Sequence, residues 1–79
     1  MKYKDGTEVK IGDKIKLWED CYGIVVASID AGEYDPSYLK KEWEYLKSGI
    51  LVNSDKAGLV HYSEAEDDWE LIARSVQNK

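Results

Sequence analysis

The stretch from Val9 to Ile29, VKIGDKIKLWEDCYGIVVASI, decides the fold of this chain. From Lys14 to Trp18 lysines alternate with apolar residues, the pattern of a strand with one buried and one solvated face. Tyr22 to Ile29 is nearly all apolar and rich in β-branched residues, which favours a strand buried on both faces. The acidic pair Glu19-Asp20 between them suits a short turn. We therefore predict that two antiparallel strands form the centre of the fold.

Residues 30–49 break this strand pattern and predict a helical insertion. Asp35-Pro36 is typical of a helix start, because Asp caps free N–H groups and Pro fits the first helical turn. Gly49 suits the left-handed residue that follows a helix. We expect one helix over about residues 36–47, laid across an open end of the sheet. Its apolar stripe consists of Leu39, Trp43 and Leu46.

The rest of the chain predicts three more short strands. Ile50–Val52 and Gly58–Tyr62 flank a turn-rich connection and are typical of a hairpin. An acidic loop over residues 63–68 then leads to a last strand, Trp69–Ala73. Residues 74–79 are expected to fray.

Five short strands with one helical insertion (about 36–47) predict a mainly β fold, an SH3-like small barrel in which closure of the sheet protects the strand edges. An open antiparallel sheet with the helix across one face is the alternative packing. A chain of 79 residues has room for one core, so we predict a single domain over residues 1–79. The tryptophans are expected in the core or at the barrel ends; they are Trp18, Trp43 and Trp69.

The glycines of the first hairpin carry a resemblance. Gly12-Asp13 precedes the alternating strand, and Gly23 opens the apolar one. This arrangement resembles the opening of KOW-type and other SH3-like barrels. Segments 28–34, 43–49 and 58–62, with the acidic residues that follow, resemble a group of small bacterial barrel proteins, some of them similar to immunity proteins encoded beside secreted toxins. That resemblance implies a cytosolic inhibitor.

The distribution of charge indicates the class of partner. The formal net charge is −5, from 16 acidic and 11 basic residues. Five acids and no Lys or Arg lie between Glu19 and Asp35, and five more acids lie between Glu64 and Glu70. Such blocks repel phosphate and attract basic proteins, which disfavours direct contact with nucleic acid. They are equally typical of solvated loops that keep a protein soluble.

The insertion combines acids with tyrosines, a composition typical of protein-binding surfaces. We expect a non-enzymatic protein-binding module, most concretely an immunity-type inhibitor that docks a basic toxin encoded nearby. Packing of the tyrosines around the helix ends is the other interpretation. The predicted partner-binding residues are Asp30, Glu33, Tyr34, Asp35, Tyr38, Glu42 and Tyr45.

Lysines of the first strand support a different function. Lys10, Lys14 and Lys16 alternate onto one outer face in the sequence pattern. The alternative function is therefore a nucleic-acid- or ribosome-associated KOW-like barrel that uses these lysines.

No cluster of residues predicts catalysis, a metal site or a cofactor. His61 lacks the further His or Cys ligands that a metal site needs, and Cys21 stands beside two acids that oppose a nucleophilic thiolate. Both are expected to be structural or surface residues. A single cysteine cannot form an internal disulfide, and no apolar run reaches membrane-spanning length, so we predict a cytoplasmic protein without membrane contact.

Overall fold

A computed structural model describes residues 1–74, and the predicted hairpin lies at its centre. β1 spans Asp13–Trp18 and β2 spans Cys21–Ser28, and the two strands pair antiparallel across a short turn. At the start of β2 buried residues alternate with more exposed ones, and Ile24 is 40% exposed. The strand is buried on both faces only from Val25 onward. The burial on both faces predicted for the whole second strand is therefore confirmed for its second half and wrong for its first.

Within residues 1–74 the chain forms six antiparallel strands in one sheet. The remaining strands are β3 Glu33–Tyr34, β4 Ile50–Ser54, β5 Gly58–Tyr62 and β6 Glu70–Arg74. The strand order is β5-β4-β2-β1-β6, and β3 pairs with the end of β2. The mainly β, barrel-like fold is confirmed, with one strand more than predicted. The finer likeness to SH3-like and KOW-type barrels stays a prediction.

The larger hydrophobic cluster, called here the inner cluster, lies on one face of this sheet. It consists of Tyr3, Val9, Ile15, Leu17, Cys21, Val25, Ile50, Val52 and Trp69. Gly23 is part of this packing, since a Cβ there would lie 2.5 Å from Val52 Cγ1. Close approach of the two strands therefore excludes a side chain at position 23, as expected from barrel geometry.

The insertion between β2 and β4 is less helical than predicted. Its helix, α1, spans only Lys40–Trp43 and is followed by a 3-10 turn over Glu44–Leu46. Asp35 does not cap a helix; its side chain accepts the N–H of Ser37 and its carbonyl accepts the N–H of Tyr38. The predicted first turn of the helix is wrong, because an Asp side chain stabilises a local turn as readily as a helix start.

The insertion packs on the outside of β2 and β4, and not across an open end of the sheet. Leu51 of β4 points away from the inner cluster, because successive residues of a strand face opposite sides. It belongs to a second cluster, called here the outer cluster. Val26, Ala27, Ile29 and Leu51 are buried in it, and Tyr34, Tyr38, Trp43 and Leu46 of the insertion cover them. In this one respect the structure resembles the alternative packing, with a helical segment across one sheet face.

The tryptophans occupy three different environments. Trp69 lies in the inner cluster at 2% exposure, and Trp43 covers the outer cluster. Trp18 is 45% exposed at the end of β1. Trp18 is therefore not a core residue, because its position in β1 places it on the same solvated face as Lys14 and Lys16.

Candidate partner-binding surface

Two of the predicted partner-binding carboxylates hold the insertion in shape. Asp30 Oδ1 accepts the N–H of Gly49 at 3.0 Å, which joins the start of the insertion to its end. Gly49 has a φ of 96°, and a Cβ there would collide with the carbonyl oxygen of Tyr62. Asp35 Oδ1 accepts the N–H of Ser37 at 3.0 Å. Both carboxylates therefore have local structural partners.

Two of the predicted tyrosines pack against the sheet. Tyr34 lies in β3 opposite Ala27, and Tyr38 has its ring centroid 6.5 Å from that of Trp43. Burial, followed by the negative charge of Glu44, raises the pKa of Tyr34 above its ordinary value. Packing around the helix ends, the other interpretation of the tyrosines, fits Tyr38, which lies beside Trp43 of α1, whereas Tyr34 packs on β2.

The remaining predicted residues are exposed, and a residue outside the prediction joins them. Glu33 and Glu42 are exposed, and Tyr45 is 67% exposed. Glu42 and Tyr45 are three residues apart in consecutive helical turns, so they lie on the same side of the insertion. Leu39, just before α1, is 51% exposed. Leu39, Glu42 and Tyr45 are called here the insertion surface.

Leu39 could not be recognised as a surface residue from its spacing. Its distance from Trp43 and Leu46 fits an apolar stripe, and those two residues do cover the outer cluster. The stripe requires a helix that includes Leu39, whereas its backbone is extended, with φ −72° and ψ 131°. The late start of α1 therefore leaves this side chain in solvent.

The lysines of the alternative function have different surroundings, although Lys14 and Lys16 share one face of β1. Lys14 lies on the outer face of β1 with Nζ 5.7 Å from the centroid of the Tyr22 ring. Lys16 Nζ lies 3.6 Å from Glu19 Oε1. Lys10 precedes β1, and its backbone N–H donates to the side chain of Asp13.

An open groove of about 430 Å³ lies beside Lys14 on this outer face. Its floor and rims come from the start of β2 and the β4–β5 turn. Its lining residues are Lys14, Tyr22, Gly23, Ile24, Asn53, Ser54 and Asp55. Because Lys14 and Asp55 have opposite charges, the groove has no single sign of charge.

A buried polar network surrounds Asp13, which is 0% exposed, and no sequence pattern predicted it. Tyr3 Oη donates to Asp13 Oδ2 at 2.6 Å, and the N–H of Lys10 donates to the same oxygen at 3.0 Å. Arg74 donates from Nε to Oδ1 at 2.8 Å and from Nη2 to Oδ2 at 3.0 Å. Arg74 Nη2 also donates to the Glu8 carbonyl at 2.8 Å.

This network overturns one prediction and explains one motif. Arg74 is not part of a frayed tail but the last residue of β6, while residues 75–79 lie outside the described part of the chain. The Asp of the Gly12-Asp13 pair serves as a buried acceptor for three segments of the chain. Nothing in the spacing of the sequence links position 13 with position 74, so only the fold reveals the pair.

The network shifts the pKa values of its members in consistent directions. Burial alone would raise the pKa of Asp13, but hydrogen bonds from Arg74, Tyr3 and the Lys10 N–H lower it below its ordinary value. Burial and the hydrogen bond to Asp13 raise the pKa of Tyr3 well above its usual range. The hydrogen bond to Asp13 also raises the pKa of Arg74. The carboxylate is therefore ionised and the other two groups are protonated at neutral pH.

The remaining candidate residues have ordinary structural surroundings. His61 is exposed on β5, and its Nε2–H donates to the Ser48 carbonyl at 2.8 Å. Cys21 is fully buried in the inner cluster. Residues 1–74 contain no group of three or more His, Cys, Asp or Glu side chains arranged to hold a metal ion. In the same part of the chain, no helix has the length and apolar character needed to cross a membrane.

Comparison with known protein families, with curated proteins and with solved structures gives no match for this chain.

Proposed function

We propose that this chain is a non-enzymatic protein-binding module that docks a basic protein through its insertion. The observation that carries the proposal is the exposure of Tyr45 and Leu39, at 67% and 51%, together with that of Glu42, which lies three residues from each in the sequence. Aromatic side chains are common anchors at the centre of protein interfaces. A neighbouring carboxylate adds attraction for a cationic partner.

The most concrete form of this function is an immunity-type inhibitor that blocks a basic toxin encoded nearby. Glu33 and Glu42 would accelerate encounter with a cationic active site, while Tyr45 and Leu39 would slow dissociation. We place this protein in the cytoplasm, because its single cysteine is buried without a disulfide partner.

The partner is sought by retention from a lysate of the source organism on the immobilised full chain, eluted by a salt gradient. The retained basic protein is then measured against variants by surface plasmon resonance. For Glu33→Gln/Glu42→Gln we expect an association rate lower by on the order of tenfold at low salt. Tyr45→Ala should mainly increase the dissociation rate.

A matched control removes the same charge elsewhere. Glu66→Gln/Asp67→Asn changes two exposed acids of the loop before β6 and leaves the insertion intact. We expect near-normal association for this control. Equal losses in the two double variants would contradict a site on the insertion, because net charge alone would then explain the rate.

The alternative, a nucleic-acid- or ribosome-associated barrel, has one observation in its favour. Lys14 lies over the Tyr22 ring beside the open groove, and a cation next to an aromatic ring is a feature of single-strand binding sites. Fluorescence anisotropy with labelled single-stranded RNA separates the two functions. Salt-dependent binding that is lost in Lys14→Ala/Lys16→Ala, but kept in Lys40→Ala/Lys41→Ala, would favour the alternative.

A further inference from the structure

The two strands at the ends of the sheet order, β5 and β6, differ in how they are protected from pairing with another chain. β6 carries Glu70 and Arg74 at its ends, and its pairing with β1 is irregular around Ile72. Charged residues and bulges are the usual means by which an edge strand avoids pairing with another chain. β6 therefore has the protection expected of an edge strand.

β5 has none of these features. Its sequence, Gly58-Leu59-Val60-His61-Tyr62, contains no Lys, Arg, Asp, Glu or Pro, and its pairing with β4 runs in regular register over all five residues. Leu59 is 39% exposed, and His61 is exposed on the same side of the strand. An unbulged and uncharged edge of this kind is a template for another strand.

The backbone of β5 has capacity for a second ladder. Within residues 1–74, β4 is the only strand that pairs with β5. In an antiparallel ladder alternate residues direct their N–H and C=O groups away from the partner strand. These groups of β5 face the open side of the strand and match those of any second antiparallel strand.

We propose that β5 pairs antiparallel with β5 of a second copy of this chain, which forms a two-fold symmetric dimer with one continuous sheet. A two-fold axis at Val60 brings Leu59 opposite His61 of the second copy and Gly58 opposite Tyr62. No like charges face each other in this ladder, since the strand carries no acid or permanent base.

Charge complementarity at the ends of β5 favours a second copy of this chain as the partner of its open edge. Continued beyond the strand ends, this register directs Lys56, in the β4–β5 turn, towards Glu64 of the second copy, at the start of the acidic loop. Both residues are exposed, and the symmetry creates the pair twice. This surface does not include the insertion surface, so the dimer is independent of the proposed function.

Sedimentation of the full chain over a range of concentrations tests the proposal. We expect a mass that rises from monomer to dimer, and in Leu59→Lys a dissociation constant higher by on the order of tenfold or more. Ile72→Lys is the matched control, because Ile72 is an exposed aliphatic residue on the other edge strand, at 48% exposure. It should dimerise like the parent chain.

A charge exchange tests the register. Lys56→Glu should weaken the dimer, and Lys56→Glu/Glu64→Lys should restore it, because the second change rebuilds both pairs with the signs reversed. Circular dichroism of each variant establishes that it is folded. A monomer at every concentration, equal losses in Leu59→Lys and Ile72→Lys, or no rescue by the exchange would each overturn the proposal.

Discussion

The inner and outer clusters differ in how many segments of the chain supply their residues and in how deeply those residues are buried. The inner cluster gathers buried residues from β1, β2, β4 and the segments before β1 and β6, and it adjoins the Asp13 network. The outer cluster buries four residues of the sheet region under four partly buried residues of the insertion. The helix of that insertion has no buried residue and no side-chain cap at its N-terminus. The insertion is thus less firmly anchored than the inner cluster, and it displays the proposed binding surface.

Tryptophan substitutions should produce the largest contrast between the clusters. For Trp69→Ala we expect a loss of about 4 kcal/mol in the free energy of unfolding, because it empties the centre of the inner cluster. Trp43→Ala should cost about 1–2 kcal/mol, since its site is partly solvated and can close locally. Urea denaturation followed by circular dichroism measures both.

Two further variants extend the test to an exposed tryptophan and to a smaller change at position 69. Trp18→Ala should change the free energy of unfolding by less than about 0.5 kcal/mol, because Trp18 is largely exposed. Trp69→Phe should cost less than Trp69→Ala, since it keeps a ring and removes a buried indole N–H that has no hydrogen-bond partner among residues 1–74. A loss for Trp43→Ala as large as that for Trp69→Ala would show that the two clusters unfold as one.

Removal of a carboxylate from each region should also cost different amounts of unfolding free energy, but the difference should be smaller than for the tryptophans. Asp13→Ala removes the acceptor of Tyr3, the Lys10 N–H and Arg74 together, and we expect a loss of about 3 kcal/mol. Asp35→Ala loses one hydrogen bond in a turn of the insertion and should cost about 1 kcal/mol or less. Equal losses in chemical denaturation would contradict the structural importance given to the Asp13 network.

Acid should weaken the Asp13 network. The pKa of the Asp13 carboxyl group is lower in the folded state than in the unfolded state, so the unfolded chain binds the proton more readily. The stabilisation is complete above the ordinary Asp pKa, about 3.9, and is lost as the pH falls through the lower folded-state pKa. Urea midpoints measured between neutral and acidic pH should fall less steeply for Asp13→Asn than for the parent chain. Parallel curves would show that other carboxylates dominate acid unfolding.

The insertion surface should contribute least to stability. Tyr45→Ala and Leu39→Ala should each leave the free energy of unfolding within about 0.5 kcal/mol of the parent value, because both side chains are mostly in solvent. Thermal or urea unfolding measures this directly. A larger loss would show that these side chains are needed for the packing of the insertion and are not free to anchor a partner.

Features with a short sequence period were predictable. Alternation in Lys14–Trp18 identified β1, and the β-branched run identified β2, because each strand repeats its environment every two residues. Gly23 was correctly predicted to lie at a close backbone approach. These residues together were enough to predict the barrel-like class of the fold.

Features that depend on a choice between competing local structures were not predictable. Asp35-Pro36 fits both a helix start and a turn, and packing of Tyr34 and Tyr38 on the sheet accompanies the turn. The exposure of Leu39 follows from that choice, so the insertion surface was predicted only in part. Burial of Tyr34 and Tyr38 likewise depends on how the insertion lies on β2 and β4, which no local pattern records.

The pairing of Asp13 with Arg74 has a consequence for synthesis on the ribosome. The two residues are 61 positions apart, so the buried carboxylate is translated long before the guanidinium that neutralises it. The β1–β2 hairpin therefore emerges with an uncompensated charge at a core position and with one edge of β1 open. The pairing of β6 with β1 must wait until β6 leaves the exit tunnel. We expect a product that stops short of position 74 to keep Asp13 without its guanidinium partner, and therefore to unfold and be degraded more readily than a chain that contains Arg74.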